Sequence, residues 1–114
     1  MTLGELYLSI DGRIGRSTLW LKWVLPIVII DVIIAIWAAA DPTTGNIVSL
    51  IIGLILIWPG IAVSVKRWHD RDKSGWWLLL VLVPVIGWLW TFIELGFFKG
   101  TDGPNRFGPD PLSA

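Results

Sequence analysis

The chain contains no cysteine, only one histidine and few charged residues. The missing thiols exclude disulfides, thiolate metal sites and cysteine nucleophiles. Nine lysines and arginines balance nine acidic residues, so there is no global positive field to attract nucleic acid, and we predict no nucleic-acid partner. Charged residues make up 16% of the chain, against roughly 25% in soluble proteins.

Apolar residues take the place of the missing charges. They make up 54% of the 114 residues, and the mean hydropathy is +0.70. A soluble domain of this length does not have enough interior to bury so much apolar surface. The composition therefore predicts an integral membrane protein. The N-terminus lacks a basic segment followed by an apolar core and a small-residue cleavage site, so we expect no removable signal peptide.

Three apolar stretches reach the roughly 20 residues that a helix needs to cross a bilayer. They cover about residues 18–40, 46–65 and 75–98, with a proline- and glycine-containing turn between the first two. We predict an all-α membrane protein forming a single domain over residues 1–114. It has three transmembrane helices, a short interfacial helix within residues 1–16, and an irregular tail over residues 99–114.

The distribution of lysine and arginine predicts the orientation. These residues concentrate before the first span and in the loop 66–74, so we place the N-terminus and that loop in the cytoplasm. Pro84 and Gly87 lie near the middle of the third stretch, where proline removes a backbone hydrogen bond. The favoured interpretation is a kinked span with the tail outside. The alternative is a reversal that returns the tail to the cytoplasm, although each half is then too short to cross unless protein buries it.

The segment 66–77, KRWHDRDKSGWW, is the main polar island between apolar stretches. His69 and Asp70 suggest acid–base or metal chemistry, but they supply too few ligands for a transition metal. No nucleophile or substrate pocket accompanies them. A structural pair is the favoured interpretation.

Tryptophans near the predicted helix ends are expected to anchor the chain in the interface, and the basic residues can bind anionic lipid head groups. The anchoring residues are Trp20, Trp23, Trp68, Trp76 and Trp77.

Asp31 lies near the middle of the first predicted span. A carboxylate at the bilayer centre costs at least about 2.5 kcal/mol, so this side chain should face a partner or water. One hypothesis is a proton or cation site, or a counter-ion to a basic group. The favoured alternative is a protonated carboxyl hydrogen-bonded to Ser49 or to a backbone carbonyl of a neighbouring helix.

Three blocks of sequence carry a family resemblance. GRIGRSTLW, then VKRWHDRDKSGWWLLL leading into PVIGW, then GTDGPNRFGPDP resemble a bacterial inner-membrane family catalogued as domain of unknown function 805. The resemblance implies a polytopic membrane protein without an established activity, and it supplies no catalytic residues. Asp31 matches none of its motifs. The matching positions are Gly12, Arg13, Arg16, Arg67, His69, Asp70, Ser74, Gly75, Trp76, Asn105, Gly108, Asp110 and Pro111.

We predict that the polar motif residues form a polar cap at the membrane surface, with Arg67 and Asp70 as an ion pair. The function predicted is that of a small structural or regulatory membrane module, not an enzyme, with no catalytic or metal-binding residue and no cofactor. The alternative is a small oligomeric channel or transporter that uses Asp31 or the polar cap. The expected partners are the lipid bilayer, anionic head groups, and a second copy or another membrane protein. The predicted polar cap comprises Arg13, Arg16, Arg67, His69, Asp70, Ser74, Asn105 and Asp110.

Overall fold

The computed structural model describes residues 2–113, and within that range it contains helices and no strand. This confirms the all-helical prediction. The elements are α1 Leu3–Leu8, α2 Arg16–Ala40, α3 Pro42–Ile55, α4 Ile57–Asp70, a 3₁₀ helix Gly75–Leu82, α5 Ile86–Phe97 and a 3₁₀ turn Pro111–Ser113. Thr2 begins α1 by accepting the backbone N–H of Glu5 at 3.1 Å. The predicted N-terminal helix is therefore present, and its interfacial position stays a prediction.

The α2 helix is 25 residues long, and its most apolar window has a mean hydropathy of 2.4. It contains a π-helical turn at Trp20–Val24. Pro26 explains the irregularity, because it has no N–H to donate to the carbonyl of Lys22. The hydroxyl of Tyr7 donates to that carbonyl instead, at 2.6 Å. The broken helical bond thereby becomes an attachment point between α1 and α2.

The α3 helix starts earlier than predicted. Asp41 caps it by accepting the N–H of Thr44 at 3.3 Å, and Pro42 occupies the first helical position. The predicted five-residue turn is therefore wrong, since only Asp41 separates the two helices. Gly45 lies against α2, where an added Cβ would be 2.5 Å from the Cα of Ala38. Glycine is required here because the two backbones approach so closely.

The second apolar stretch is bent. The axes of α3 and α4 meet at 46°. Pro59 accounts for the bend because it cannot donate to the carbonyl of Ile55. The helix then continues to Asp70, so the predicted end near residue 65 is wrong and only residues 71–74 form the loop. Within residues 2–113, α2 alone is long and apolar enough to cross a membrane, and the bent pair qualifies if it is counted as one span.

The third apolar stretch reverses direction. The 3₁₀ helix ends at Leu82, Val85 has a positive φ of 64°, and α5 runs back alongside. Gly87 fits against the carbonyl of Leu80, and the indole N–H of Trp88 donates to the carbonyl of Val81 at 2.8 Å. These contacts close a hairpin at its tip.

The two ends of this hairpin lie side by side. The rings of Trp77 and Trp90 are 6.3 Å apart, and Lys73 pairs with Glu94 at 2.8 Å. The prediction of one kinked helix over residues 75–98 is therefore wrong. At 2.0 Å per residue in a 3₁₀ helix and 1.5 Å in an α-helix, the arms are only about 16 and 18 Å long, roughly half of a bilayer core.

The buried apolar core lies where α1, α4 and the end of α5 meet. Trp68 is fully buried there, so the expectation that it anchors the chain in the interface is wrong. Most large apolar side chains on α2, α3 and the hairpin are exposed, as in a protein that is surrounded by lipid. The core residues are Leu6, Ile14, Leu19, Val63, Trp68 and Leu95.

We predict that Gly87→Ala opens the hairpin, because the new Cβ would lie 1.8 Å from the carbonyl oxygen of Leu80. The melting temperature of the purified protein in detergent should fall, as followed by near-ultraviolet circular dichroism. Gly4→Ala is the matched control, since its Cβ meets only the Thr2 hydroxyl at 3.9 Å. Equal melting temperatures for the two variants would contradict the hairpin.

Candidate functional site

The candidate site is a set of buried polar side chains where the end of α4 meets the N-terminal segment, the end of α5 and the tail. We call it the buried cluster. Its members are between 0% and 8% exposed, which is unusual for ionisable residues. The buried cluster consists of Arg13, Lys66, Arg67, His69 and Asp70.

Asp70 is the centre of the buried cluster. Its Oδ1 accepts hydrogen bonds from Nε and Nη2 of Arg13 at 3.1 and 2.9 Å, and its Oδ2 accepts one from Nη1 of Arg67 at 2.9 Å. Helical i, i+3 spacing brings Arg67 beside Asp70, whereas Arg13 arrives from the N-terminal segment. A carboxylate with this burial needs such partners, because an unpaired charge away from water is costly.

Arg13 uses its other donors to hold the tail. Its Nη2 donates to the carbonyl of Thr101 at 2.7 Å, and its Nη1 donates to the carbonyls of Gly103 and Gly108 at 2.7 and 3.3 Å. The backbone N–H of Thr101 in turn donates to the carbonyl of Asp70 at 2.7 Å. The tail is therefore attached to the end of α4 by both side-chain and backbone bonds.

Arg67 holds the end of α5. Its Nε donates to the carbonyl of Leu95 at 2.7 Å, and its Nη2 donates to the carbonyl of Phe98. These carbonyls belong to the end of a helix, where no helical N–H follows to satisfy them. Arg16, at the edge of the site, donates to the neighbouring carbonyl of Phe97 at 2.8 Å. Two arginines thus bind three of the carbonyls at the end of α5.

Lys66 was not part of the predicted polar cap, yet it is fully buried. Its Nζ donates to the carbonyls of Glu5 and Ser9 at 2.6 and 2.5 Å, and also to that of Leu6. These carbonyls lie at the end of α1, a position that favours a cation. The sequence signal was weak, because a lysine in a predicted loop is normally solvated.

His69 links the N-terminal segment and the tail. Its Nδ1 lies 2.9 Å from the carbonyl of Gly12, and because a carbonyl can only accept, this nitrogen carries the proton. The imidazole stacks on Phe107 with centroids 3.9 Å apart and planes 3° from parallel. Asn105 donates to the carbonyl of His69 at 2.9 Å. The histidine therefore makes packing and backbone contacts instead of facing a nucleophile.

Asp110 shapes the tail itself. Its carboxylate accepts the backbone N–H groups of Leu112 and Gly103, both at 2.9 Å. These two hydrogen bonds, that of Leu112 first, hold the pKa of the Asp110 carboxyl below its ordinary value. Gly103 has a φ of +70°, which a residue with a side chain rarely adopts. The irregular tail is thus folded against the buried cluster.

Two predicted site residues lie elsewhere. The Ser74 side chain makes no hydrogen bond to the residues that the structure describes, so it does not bond to the buried cluster, and its place in the polar cap stays a prediction. Asp31 is exposed on α2 and has no hydrogen bond or ion pair within residues 2–113. The expected hydrogen bond to Ser49 or to a backbone carbonyl is therefore absent among the described residues.

A second ionic group joins the hairpin to the loop 71–74. Glu94 of α5 is 3% exposed and contacts Nζ of Lys73 at 2.8 Å and Nε of Arg71 at 3.7 Å. The indole N–H of Trp90 also donates to Glu94, at 3.0 Å. Sequence reasoning did not connect Glu94 with the loop, because the reversal that brings the two together was not the favoured interpretation.

A cavity of about 490 Å³ opens between α4 and the 3₁₀ helix, beside His69. Its walls are mainly apolar, and include Trp58, Val65, Trp76 and Leu79. Residues 2–113 contain no group of three or more histidine, cysteine, aspartate or glutamate side chains placed to hold a metal ion. The buried cations of the site bind the carboxylate of Asp70 and backbone carbonyls.

Comparison with known sequences gives the family. The family model described as "Protein of unknown function (DUF805)" matches residues 7–109. The chain belongs to the DUF805 family. The matched region holds all five residues of the buried cluster. In the DUF805 fold seen here, the three motif blocks that carried the resemblance come from distant parts of the chain and meet at this one site.

Several curated Escherichia coli K12 proteins are similar to this DUF805 chain. Inner membrane protein YhaH is 37% identical over 111 residues, covering 92% of this chain and 88% of the relative. Inner membrane protein YhaI is 36% identical over 118 residues, covering 92% and 87%. Uncharacterized protein YiiR is 31% identical over 139 residues, covering 96% and 90%. No solved structure matches the chain significantly.

We predict that Asp70→Ala lowers the free energy of unfolding by about 3–5 kcal/mol, because it leaves two buried guanidinium groups without their carboxylate. The matched control is Asp102→Ala, which removes an exposed ion pair with Lys99 and should cost at most about 1 kcal/mol. Denaturant titration in detergent measures both changes. Similar losses for the two variants would show that the buried cluster does not stabilise the fold.

Proposed function

We propose that this DUF805 protein is a polytopic protein of the bacterial inner membrane that acts as a structural module. In this proposal α2 crosses the bilayer once and the bent α3–α4 pair crosses it a second time. The hairpin of the 3₁₀ helix and α5 enters the membrane and returns. The names of the relatives YhaH and YhaI support the inner-membrane location.

The observation that carries the structural role is how the buried cations are used. Arg13, Arg67 and Lys66 direct their donors to Asp70 and to backbone carbonyls of the N-terminal segment, α5 and the tail. Donors committed in this way are not available to a substrate. The buried cluster therefore holds the hairpin and the tail together at one end of the two spans.

The charge distribution supports a cytoplasmic location for that end. With the hairpin reversed, all nine lysines and arginines lie toward the end of the molecule that holds the buried cluster. The connection between α2 and α3 at the opposite end has none. Because positively charged segments stay in the cytoplasm, the N-terminus, the loop 71–74 and the tail all belong on that side.

We predict that both termini are cytoplasmic. Green fluorescent protein fused to the C-terminus should fluoresce, and alkaline phosphatase fused there should be inactive. The same enzyme inserted between Asp41 and Pro42 should be active, which provides the control. An active C-terminal phosphatase fusion would place the tail outside and overturn the re-entrant topology.

The second candidate function is an oligomeric channel or transporter, and the observation that favours it is Asp31, an ionisable residue within α2. For a structural module, proteoliposomes containing the protein should show no more proton, sodium or potassium flux than empty ones. Asp31→Asn should leave the flux unchanged. A flux that Asp31→Asn abolishes would favour the transporter.

A further inference from the structure

We propose that two copies of this chain pair in the membrane through one face of the α2–α3 hairpin. We call this surface the Asp31 face, and it consists of Asp31, Ala35, Asn46, Ser49 and Gly53. The inference goes beyond the structural role of the buried cluster, because the Asp31 face lies on the two spans, away from the polar end.

The first argument is that Asp31 needs a partner. It lies nine residues before the end of α2 at Ala40, which places it about 14 Å inside that end. The side chain is exposed and pairs with nothing in residues 2–113. In lipid, an acidic side chain without a partner is unfavourable in either protonation state. A polar group from outside the chain must therefore meet it.

The second argument is that the polar and small residues of both helices lie on the same side of the hairpin. Ala38 and Gly45 mark the contact between α2 and α3. The burial pattern extends that line, because Ile30 on α2 and Val48 on α3 are half-buried. Asp31 and Ser49 each follow the contact line by one residue. Because the helices are antiparallel, this step turns both side chains to the same side.

The opposite side of the α2–α3 hairpin is aliphatic. It presents large aliphatic side chains that are between 51% and 68% exposed. Such a surface suits lipid, whereas small and polar residues are typical of contacts between membrane helices. An added Cβ at Gly53 would meet nothing within 4 Å, so this position is open to an approaching helix. The aliphatic residues are Ile29, Ile33, Ile36, Ile47, Ile51 and Leu54.

The third argument is depth, and it identifies the partner as a second copy. Ala38 and Gly45 are in contact and therefore lie at about the same depth in the membrane. Counted from this contact at about 1.5 Å per residue, Gly53 lies within about 1.5 Å of the depth of Asp31, and Ser49 lies within about 5 Å of it. A two-fold axis along the membrane normal keeps every residue at its own depth. The Asp31 face therefore meets its own image, and the hydroxyl of Ser49 in each copy can donate to the carboxyl of Asp31 in the other.

The absence of cysteine makes this proposal testable by cross-linking. Ala35→Cys places the only thiol on the Asp31 face, and Ile33→Cys places it on the aliphatic side, two residues away on the same helix. Each variant is reconstituted at a low protein-to-lipid ratio in vesicles of phosphatidylethanolamine and phosphatidylglycerol and then oxidised. We expect Ala35→Cys to form a disulfide-linked dimer much faster than Ile33→Cys. Equal rates would overturn the proposal.

A second substitution tests the role of the carboxyl. Asp31→Leu, added to Ala35→Cys, should slow dimer formation about tenfold, because it removes the hydrogen-bond acceptor. Asp31→Asn keeps an acceptor and should retain most of the rate. Unchanged dimerisation with Asp31→Leu would refute the proposal. The proposal would also be refuted if oxidation of Ala35→Cys in cell membranes linked this chain to other proteins and not to a second copy. Asp31 makes no hydrogen bond or ion pair within residues 2–113, so an unchanged melting temperature is expected for the variants and shows that they fold. The topology test of the proposed function is independent of this experiment.

Discussion

The pairing of one buried carboxylate with two guanidinium groups is the interaction on which this structure depends. Asp70 neutralises part of the charge of Arg13 and Arg67, and the remaining donors of both arginines reach carbonyls in the tail and at the end of α5. Gly100 passes so close to the Asp70 carboxylate that an added Cβ would be 2.0 Å from Oδ2. The tail backbone therefore packs directly against the ion pair. The stability effects of substitutions at Gly100 and at Asp70 should consequently not be additive.

Several irregular places in the helices share one feature. Where proline or a turn leaves a carbonyl without its helical donor, a side chain from another segment supplies one in three cases. Tyr7 does so for Lys22, Trp88 for Val81 and Arg67 for Leu95. A bilayer offers no water to satisfy such groups. The breaks in the helices consequently act as the points at which the segments are joined.

Local sequence rules predicted part of the candidate site and failed at identifiable places. Arg67 and Asp70 are three residues apart on one helix, so their pairing follows from helical geometry. Lys66 escaped notice because its partners are carbonyls of α1, about sixty positions away along the chain. The reversal at Pro84 and Val85 was considered but not favoured, because each half is too short to cross the bilayer unless protein buries it. The contacts that stabilise the reversal, Gly87 against Leu80 and Trp88 on the carbonyl of Val81, are visible only in the structure.

The sequence by itself determined the helical, lipid-compatible character of the chain, the clustering of its cations and the membership of its motif blocks in one family. These properties depend on composition and on short-range spacing, which need no knowledge of the fold. Only the tertiary structure decided that the third apolar stretch folds back, that the three motif blocks meet around Asp70, and that Asp31 has no partner within the described residues. Each of these outcomes depends on contacts between residues that are distant along the chain or on a close approach of two backbones, and local patterns do not encode either.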